Sequence, residues 1–152
     1  MIETSAFALA QRWIGHSEIA GPESDPFVLA MLRLDAGWPK GDDVPWCSAF
    51  VNFIAWQLRL PRSHSLRARS WLLIGAGVSI YQAQVGCDVV VLSRGKGKQP
   101  GPDVIEAPGH VGFFAGTDHK TYVEILGGNQ GNAVSIARYP IERVLGVRRI
   151  HS

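Results

Sequence analysis

The spacing of apolar residues changes near the middle of the chain. In the N-terminal half, apolar residues recur every three or four positions, which predicts helices at about 4–14, 25–36, 47–58 and 70–74. From Gly86 onward they fall in short β-branched runs, which predict strands at 89–92, 111–115, 122–126, 134–139 and 144–148. Helices followed by closely spaced strands predict an α+β domain, with a C-terminal antiparallel β-sheet packed on the N-terminal helices.

Composition agrees with one folded domain. At 152 residues, with 46% hydrophobic and 18% charged residues, the chain can bury a core of its own, and we expect a single domain over residues 1–152. Cys47 and Cys87 lie in unlike settings, so we expect two free thiols, as in a reducing compartment. Residues 1–5 show no secretory signal, and no apolar run approaches the roughly 18 residues of a membrane span. We therefore expect synthesis in a reducing compartment without a signal peptide.

Charge adds little to this picture. The formal net charge is +2, and basic residues gather at 59–69 and 94–98. Such clusters can attract an anionic polymer, but a solvated surface is the interpretation we favour, and we expect no nucleic-acid partner.

A cysteine stands where a proline-bearing loop gives way to a helical pattern, in the segment 45–50, Pro-Trp-Cys-Ser-Ala-Phe. Cys47 then lies in the first helical turn, where free N–H groups and the helix dipole favour a thiolate, the form that attacks. This pattern predicts a nucleophile. The alternative is a core residue, because lone cysteines are commonly buried.

A cysteine nucleophile needs a base, and imidazole titrates near neutrality. Four of the five histidines occupy loop-like or terminal stretches: His16, His64, His119 and His151. His110 instead opens a predicted strand and shares a face with Gly112, a residue that permits close approach of another element. We therefore predict that His110 meets Cys47 across the interface between helix and sheet.

The base needs a third group to orient it, and the following strand offers three candidates. Asn129 is favoured if the two strands pair as a hairpin, although Gly-Gly-Asn-Gln-Gly-Asn is also ordinary turn chemistry. Gln130 is its neighbour. Glu124 qualifies only if its strand's register places it on the His110 face.

Five segments, in this order and spacing, resemble the papain-like peptidoglycan hydrolases of the CHAP and NlpC type, and most closely the single-domain CHAP-like members found in bacteriophages. These segments are 45–51, 68–72, 86–91, 109–113 and 126–130. The resemblance extends from about residue 7 to 149. It implies a papain-like fold and cleavage of an amide bond in the bacterial cell wall.

The resemblance also implies roles for individual residues. Cys47 becomes the nucleophile, His110 the base and Asn129 the polar third member. NlpC enzymes usually have a second histidine as the third member. In this chain no histidine follows the strand at 122–126 before His151. CHAP enzymes often place a glutamate where Gly127 stands. Trp46 and Trp71 could line a substrate groove, although tryptophans in a chain this size mostly fill the core.

The expected function is that of a phage or prophage endolysin, a monomer that acts on peptidoglycan after release through a holin's membrane lesions. Two alternatives stay open, an antibacterial effector delivered by a secretion machine and a catalytically silent wall-binding module. Some CHAP enzymes bind calcium. Asp35, Asp42 and Asp43 precede the cysteine without the alternating ligand pattern of a calcium loop, so we expect neither a metal nor a cofactor.

Overall fold

Helices occupy the N-terminal part of the computed structural model, and an antiparallel sheet occupies most of the rest. The structure describes residues 4–19, 23–39, 41 and 44–151. Within these residues the α-helices are α1 (Ala6–Gln11), α2 (Pro26–Leu32) and α3 (Cys47–Gln57), followed by a 3-10 helix (Ala68–Leu73). Asp42 and Asp43 lie outside the described residues.

The first two helices begin where capping chemistry places them. The Ser5 side chain accepts a hydrogen bond from the Ala8 N–H, and the Asp25 carboxylate caps α2, which has Pro26 in its first turn. Helix α1 ends earlier than predicted because the chain turns to join the sheet. There the Gly15 N–H donates to the Val134 carbonyl across 2.9 Å.

Six antiparallel strands form one sheet in the order β1-β6-β2-β3-β4-β5. They are β1 (Ala76–Val78), β2 (Asp88–Ser93), β3 (Gly109–Thr117), β4 (Tyr122–Gln130), β5 (Ala133–Pro140) and β6 (Val144–Arg149). The five predicted strands are confirmed. Strand β1 was not predicted, because it has three residues and they are largely exposed. It joins the sheet by pairing with β6.

The sheet separates two apolar layers. The larger layer packs α3 against residues such as Val111, Phe113 and Leu126. The smaller layer lies on the opposite face and includes Leu92 and Ile125. Because neighbouring residues of a strand face opposite layers, any extra residue in a strand changes which side chains meet. The predicted α+β class is confirmed.

Two further sequence predictions can be compared with the fold. Cys47 and Cys87 are both free thiols, as expected. Within the described residues, no helix has both the length and the apolar character needed to cross a membrane.

Candidate functional site

Cys47 is the first residue of α3, and only 4% of it is exposed. Trp46 precedes it in the core, where the indole N–H donates to the Glu18 carboxylate across 2.8 Å. Gly128 of β4 lies directly against this helix start, since a Cβ there would come within 2.7 Å of the Trp46 ring and 2.8 Å of Phe50. The cysteine is therefore held against the sheet by close backbone approach.

A buried polar network fixes the same helix start from the other side. The Ser48 hydroxyl donates to the Ser65 carbonyl across 2.6 Å and accepts from the Trp71 indole N–H across 3.0 Å. The Asn52 amide donates to the Ser48 and Ser65 carbonyls. Ser48 and Trp71 therefore both help to fix the position of the helix start.

The sheet opens next to the cysteine. Strands β3 and β4 pair from Phe113 opposite Leu126 to Thr117 opposite Val123, and the ladder does not continue toward His110. The backbone N–H groups of Val111, Ser48 and Cys47 lie close enough to the Cys47 thiol to lower its pKa. The thiol thus lies near the backbone of β3 at Val111. Among the described residues no hydrogen bond joins the Cys47 and His110 side chains, so their meeting stays a prediction.

His110 is buried and forms a hydrogen bond with Gln130, whose Oε1 lies 2.9 Å from the imidazole Nε2. The Gln130 amide orientation follows from its other partners. Its NH2 group donates to the carbonyls of Ile125, across 3.2 Å, and of Ser135, across 2.7 Å. Oε1 must therefore accept, which requires a proton on Nε2 of His110. Nδ1 makes no hydrogen bond with the described residues, so it is the nitrogen free to act as a base.

The partner of His110 is Gln130 and not Asn129, the residue favoured by the sequence. Between Gly127 and Gln130, strand β4 has one more residue than β5, which makes a bulge with Asn129 in the left-handed region at φ 58°. In a regular strand Asn129 would share the face of Gly127. The extra residue inverts the alternation and places Gln130 there instead. Among the described residues, none forms a hydrogen bond with the Asn129 side chain.

The remaining sequence candidates lie away from the imidazole. Glu124 pairs with Arg138 on the neighbouring strand, across 3.1 Å. Trp46 and Trp71 are fully buried, so the structure places both rings in the core and not along a substrate groove. Asp35 pairs with Arg62 and with His64. No group of residues suited to hold a metal ion occurs in the described ranges.

Burial favours the uncharged forms of both central side chains. Burial raises the pKa of the Cys47 thiol, opposed by the nearby N–H groups and by Arg94. Burial also lowers the pKa of His110, with Arg94 and Arg143 acting in the same direction and the Gln130 hydrogen bond opposing them. The N–H groups of the helix start lower the pKa of Cys47, as expected, but burial raises it more. Burial therefore favours a thiol at Cys47 and a neutral imidazole at His110.

An open groove of about 440 Å³ reaches Cys47. Two exposed guanidinium groups, Arg67 and Arg94, line it together with Glu106. The wall that carries Glu106 belongs to the connection between β2 and β3. Buried Arg69 holds that wall by donating to the carbonyls of Pro100, Gly101, Val104 and Pro108. The groove next to Cys47 therefore has a wall fixed by Arg69 and carries two exposed basic side chains.

Sequence reasoning missed Tyr139 and Arg94. The Tyr139 hydroxyl donates to the Gln130 Oε1 across 3.0 Å, and its ring lies 5.3 Å from the imidazole. The available signal was a tyrosine at the end of the predicted strand 134–139, which follows the strand that carries Gln130. Arg94 belonged to a basic run whose sequence gives no indication that it faces the thiol.

Comparison with known proteins shows a likeness to a solved structure. No protein-family model matches the chain, and no curated protein matches it. Among solved structures, the chain is similar to NlpC1 from Trichomonas vaginalis, with 17% sequence identity and a TM-score of 0.52 over 95% of this chain. The chain spans 42% of the length of that protein. At this identity the likeness concerns the fold, which is of the NlpC type, and it does not test the CHAP resemblance.

Proposed function

We propose that this protein is a cysteine-dependent hydrolase that cleaves an amide bond of the bacterial cell wall, as an amidase or endopeptidase. One observation carries the proposal. A buried thiol lies beside a strand whose His110 has Nε2 bound to an oriented amide oxygen, which leaves Nδ1 unprotonated. The Gln130 amide is itself oriented by the Ile125 and Ser135 carbonyls, so the tautomer of His110 is fixed as a base requires.

The proposed chemistry requires the Cys47 sulfur and Nδ1 of His110 to come within hydrogen-bond reach of each other. Nδ1 of His110 takes the thiol proton as the Cys47 sulfur attacks the amide carbonyl carbon, and the carbonyl electrons move to oxygen. The Cys47 backbone N–H stabilises that oxyanion. The imidazolium gives its proton to the departing amine, and the carbon–nitrogen bond breaks to leave a thioester. His110 then takes a proton from water, which attacks the thioester and releases the carboxylic acid and the thiol.

The charge of the groove supports an acidic peptide as substrate. Arg67 and Arg94 are exposed beside the sulfur, and the acid on the same wall is Glu106. Cell-wall stem peptides carry free carboxylates next to their amide bonds, and guanidinium groups bind carboxylates in a planar, two-pronged geometry. Peptidoglycan is therefore the proposed partner.

The biological setting belongs to the same proposal. The CHAP and NlpC resemblance supports a phage or prophage endolysin made in the host cytoplasm and released through holin lesions. An antibacterial effector would use the same chemistry and differ in its gene neighbours. A silent wall-binding module would keep the fold and bind peptidoglycan without cutting it.

The test is hydrolysis of purified Gram-negative peptidoglycan, followed by dye release and by mass spectrometry of the soluble fragments. We expect the wild type to release fragments with new amino termini, and Cys47→Ser and His110→Ala to release none. Cys87→Ser is the matched control, because it removes the other free thiol, which lies outside the groove. Equal release by the wild type and Cys47→Ser contradicts the proposal. Binding without release by the wild type indicates the silent module.

A further inference from the structure

Tyr139 makes two contacts with the site. Its hydroxyl donates to Gln130 Oε1 across 3.0 Å, the same oxygen that His110 Nε2 reaches across 2.9 Å. Its half-buried ring is tilted 39° to the imidazole, with the ring centroids 5.3 Å apart. One amide oxygen therefore accepts from two donors, one on β3 and one on β5.

Tyr139 is itself held in place. The Arg143 guanidinium lies 5.5 Å from the centre of the phenol ring, and it donates to the Ser93 carbonyl across 2.7 Å. Ser93 is the last residue of β2 and is paired with Gly109, next to His110. The contacts thus connect four strands, β2 to β5, and the β5–β6 connection around the imidazole.

We propose that Tyr139 is a positioning residue for the Cys47–His110 pair, which fixes the Gln130 amide oxygen against Nε2 and covers the imidazole ring from solvent. This proposal rests on the proposed function for its catalytic consequence alone. The positioning itself is a property of the folded protein that can be measured without any substrate.

The hydroxyl also affects how readily the imidazole takes up a proton. An oxygen that already accepts from Tyr139 is a weaker acceptor for an imidazolium, and the covering ring keeps water away from it. The other ionisable groups that act on His110 are Arg94 and Arg143, and Cys47 lies beside the same strand. Tyr139→Phe leaves these in place, so its effect isolates the hydroxyl.

The first experiment is an NMR titration of the imidazole Cε1–H signals in a Cys47→Ala background, where the thiol cannot couple to the imidazole. We expect Tyr139→Phe to shift the pKa of His110 upward. Tyr122→Phe is the matched control, because that tyrosine lies on β4 with its ring against Arg138. We expect it to leave the His110 titration unchanged. An unchanged pKa in Tyr139→Phe overturns the proposal whether or not the protein hydrolyses peptidoglycan.

The second experiment measures kcat/KM in a double-mutant cycle. Loss of one neutral hydrogen bond predicts a roughly two- to tenfold decrease for Tyr139→Phe. If Tyr139 acts through Gln130, the same change causes no further decrease in a Gln130→Ala background. Fully additive decreases, with a normal His110 titration, would show that Tyr139 merely supports the strand. Absence of all hydrolysis would contradict the proposed function and leave the titration to decide the positioning role.

Discussion

The Gln130 side chain accepts a hydrogen bond from His110 across 2.9 Å only because β4 contains one extra residue ahead of it. The bulge at Asn129 turns Gln130 onto the imidazole face, and the Ile125 and Ser135 carbonyls orient its amide. This relationship sets both the tautomer and the direction of the base. It also predicts different effects for substitutions at Gln130 and at its neighbour Asn129.

Gln130→Ala is expected to lower kcat on the order of a hundredfold, because an imidazole without its partner loses its tautomer preference and its alignment. Asn129→Gly is the control. It removes the neighbouring side chain and keeps the left-handed backbone at φ 58°, which glycine adopts freely. We expect near-normal kcat for that variant in the peptidoglycan assay. Equal losses in the two variants would mean that the bulge, and not the glutamine amide, is what matters.

Gly127→Ala is expected to reduce activity more than stability. A Cβ at this position would lie 2.9 Å from Gln130 Oε1 and 3.4 Å from His110 Nε2, so the glutamine must move away from the imidazole. We expect a roughly tenfold or larger loss of kcat/KM with a small change in Tm. Gly37→Ala, where a Cβ meets no atom within 4 Å, serves as the control. A full loss of folding in Gly127→Ala would contradict this interpretation.

The bulge also marks the limit of what the sequence could predict. Period-two alternation predicted His110 as the base, and helical spacing placed Cys47 at a helix start, because both predictions depend on local patterns. Choosing between Asn129 and Gln130 required the pairing register of β4 with β5. One inserted residue shifts that register and exchanges the faces on which the two side chains lie. Nothing in the residue types of 127–130 specifies on which strand the extra residue lies. The ionisation of Cys47 was also beyond reach, since it depends on burial by distant residues.

The pH dependence follows from two opposite shifts. His110 has a pKa below its ordinary value of 6.5, so it stays neutral as the pH falls to that point, and the acid limb of kcat/KM is expected below pH 6.5. The Cys47 thiol has a pKa above its ordinary value of 9.0, so thiolate absorbance in a Cys87→Ser background is expected only above pH 9.0. The same shifts make the free energy of unfolding fall below pH 6.5, where the unfolded chain takes up the proton, and above pH 9.0, where it releases one.

Arg94 provides a check on this assignment. It lowers the pKa of both groups, so Arg94→Gln should move the acid limb and the thiol titration together toward higher pH. Because Arg94 is exposed, the displacement should shrink at high salt. Arg12→Gln, a change of an exposed cation at the end of α1, should leave both titrations in place. An acid limb above pH 6.5 in the wild type would contradict the proposed neutral pair.

Arg69 is expected to be the main support of the groove wall. Its side chain is fully buried and donates to four carbonyls of residues 100–108, a set that a single ammonium group cannot reach together. Arg69→Lys should therefore lower the free energy of unfolding by about 2–4 kcal/mol, measured by urea denaturation. It should also open residues 94–108 to limited proteolysis before global unfolding. Arg67→Lys changes an exposed neighbour with one long bond to the Glu106 carbonyl, and should be close to neutral for stability. If Arg69→Lys is as stable and as protease-resistant as the wild type, the wall must be held by contacts other than this guanidinium.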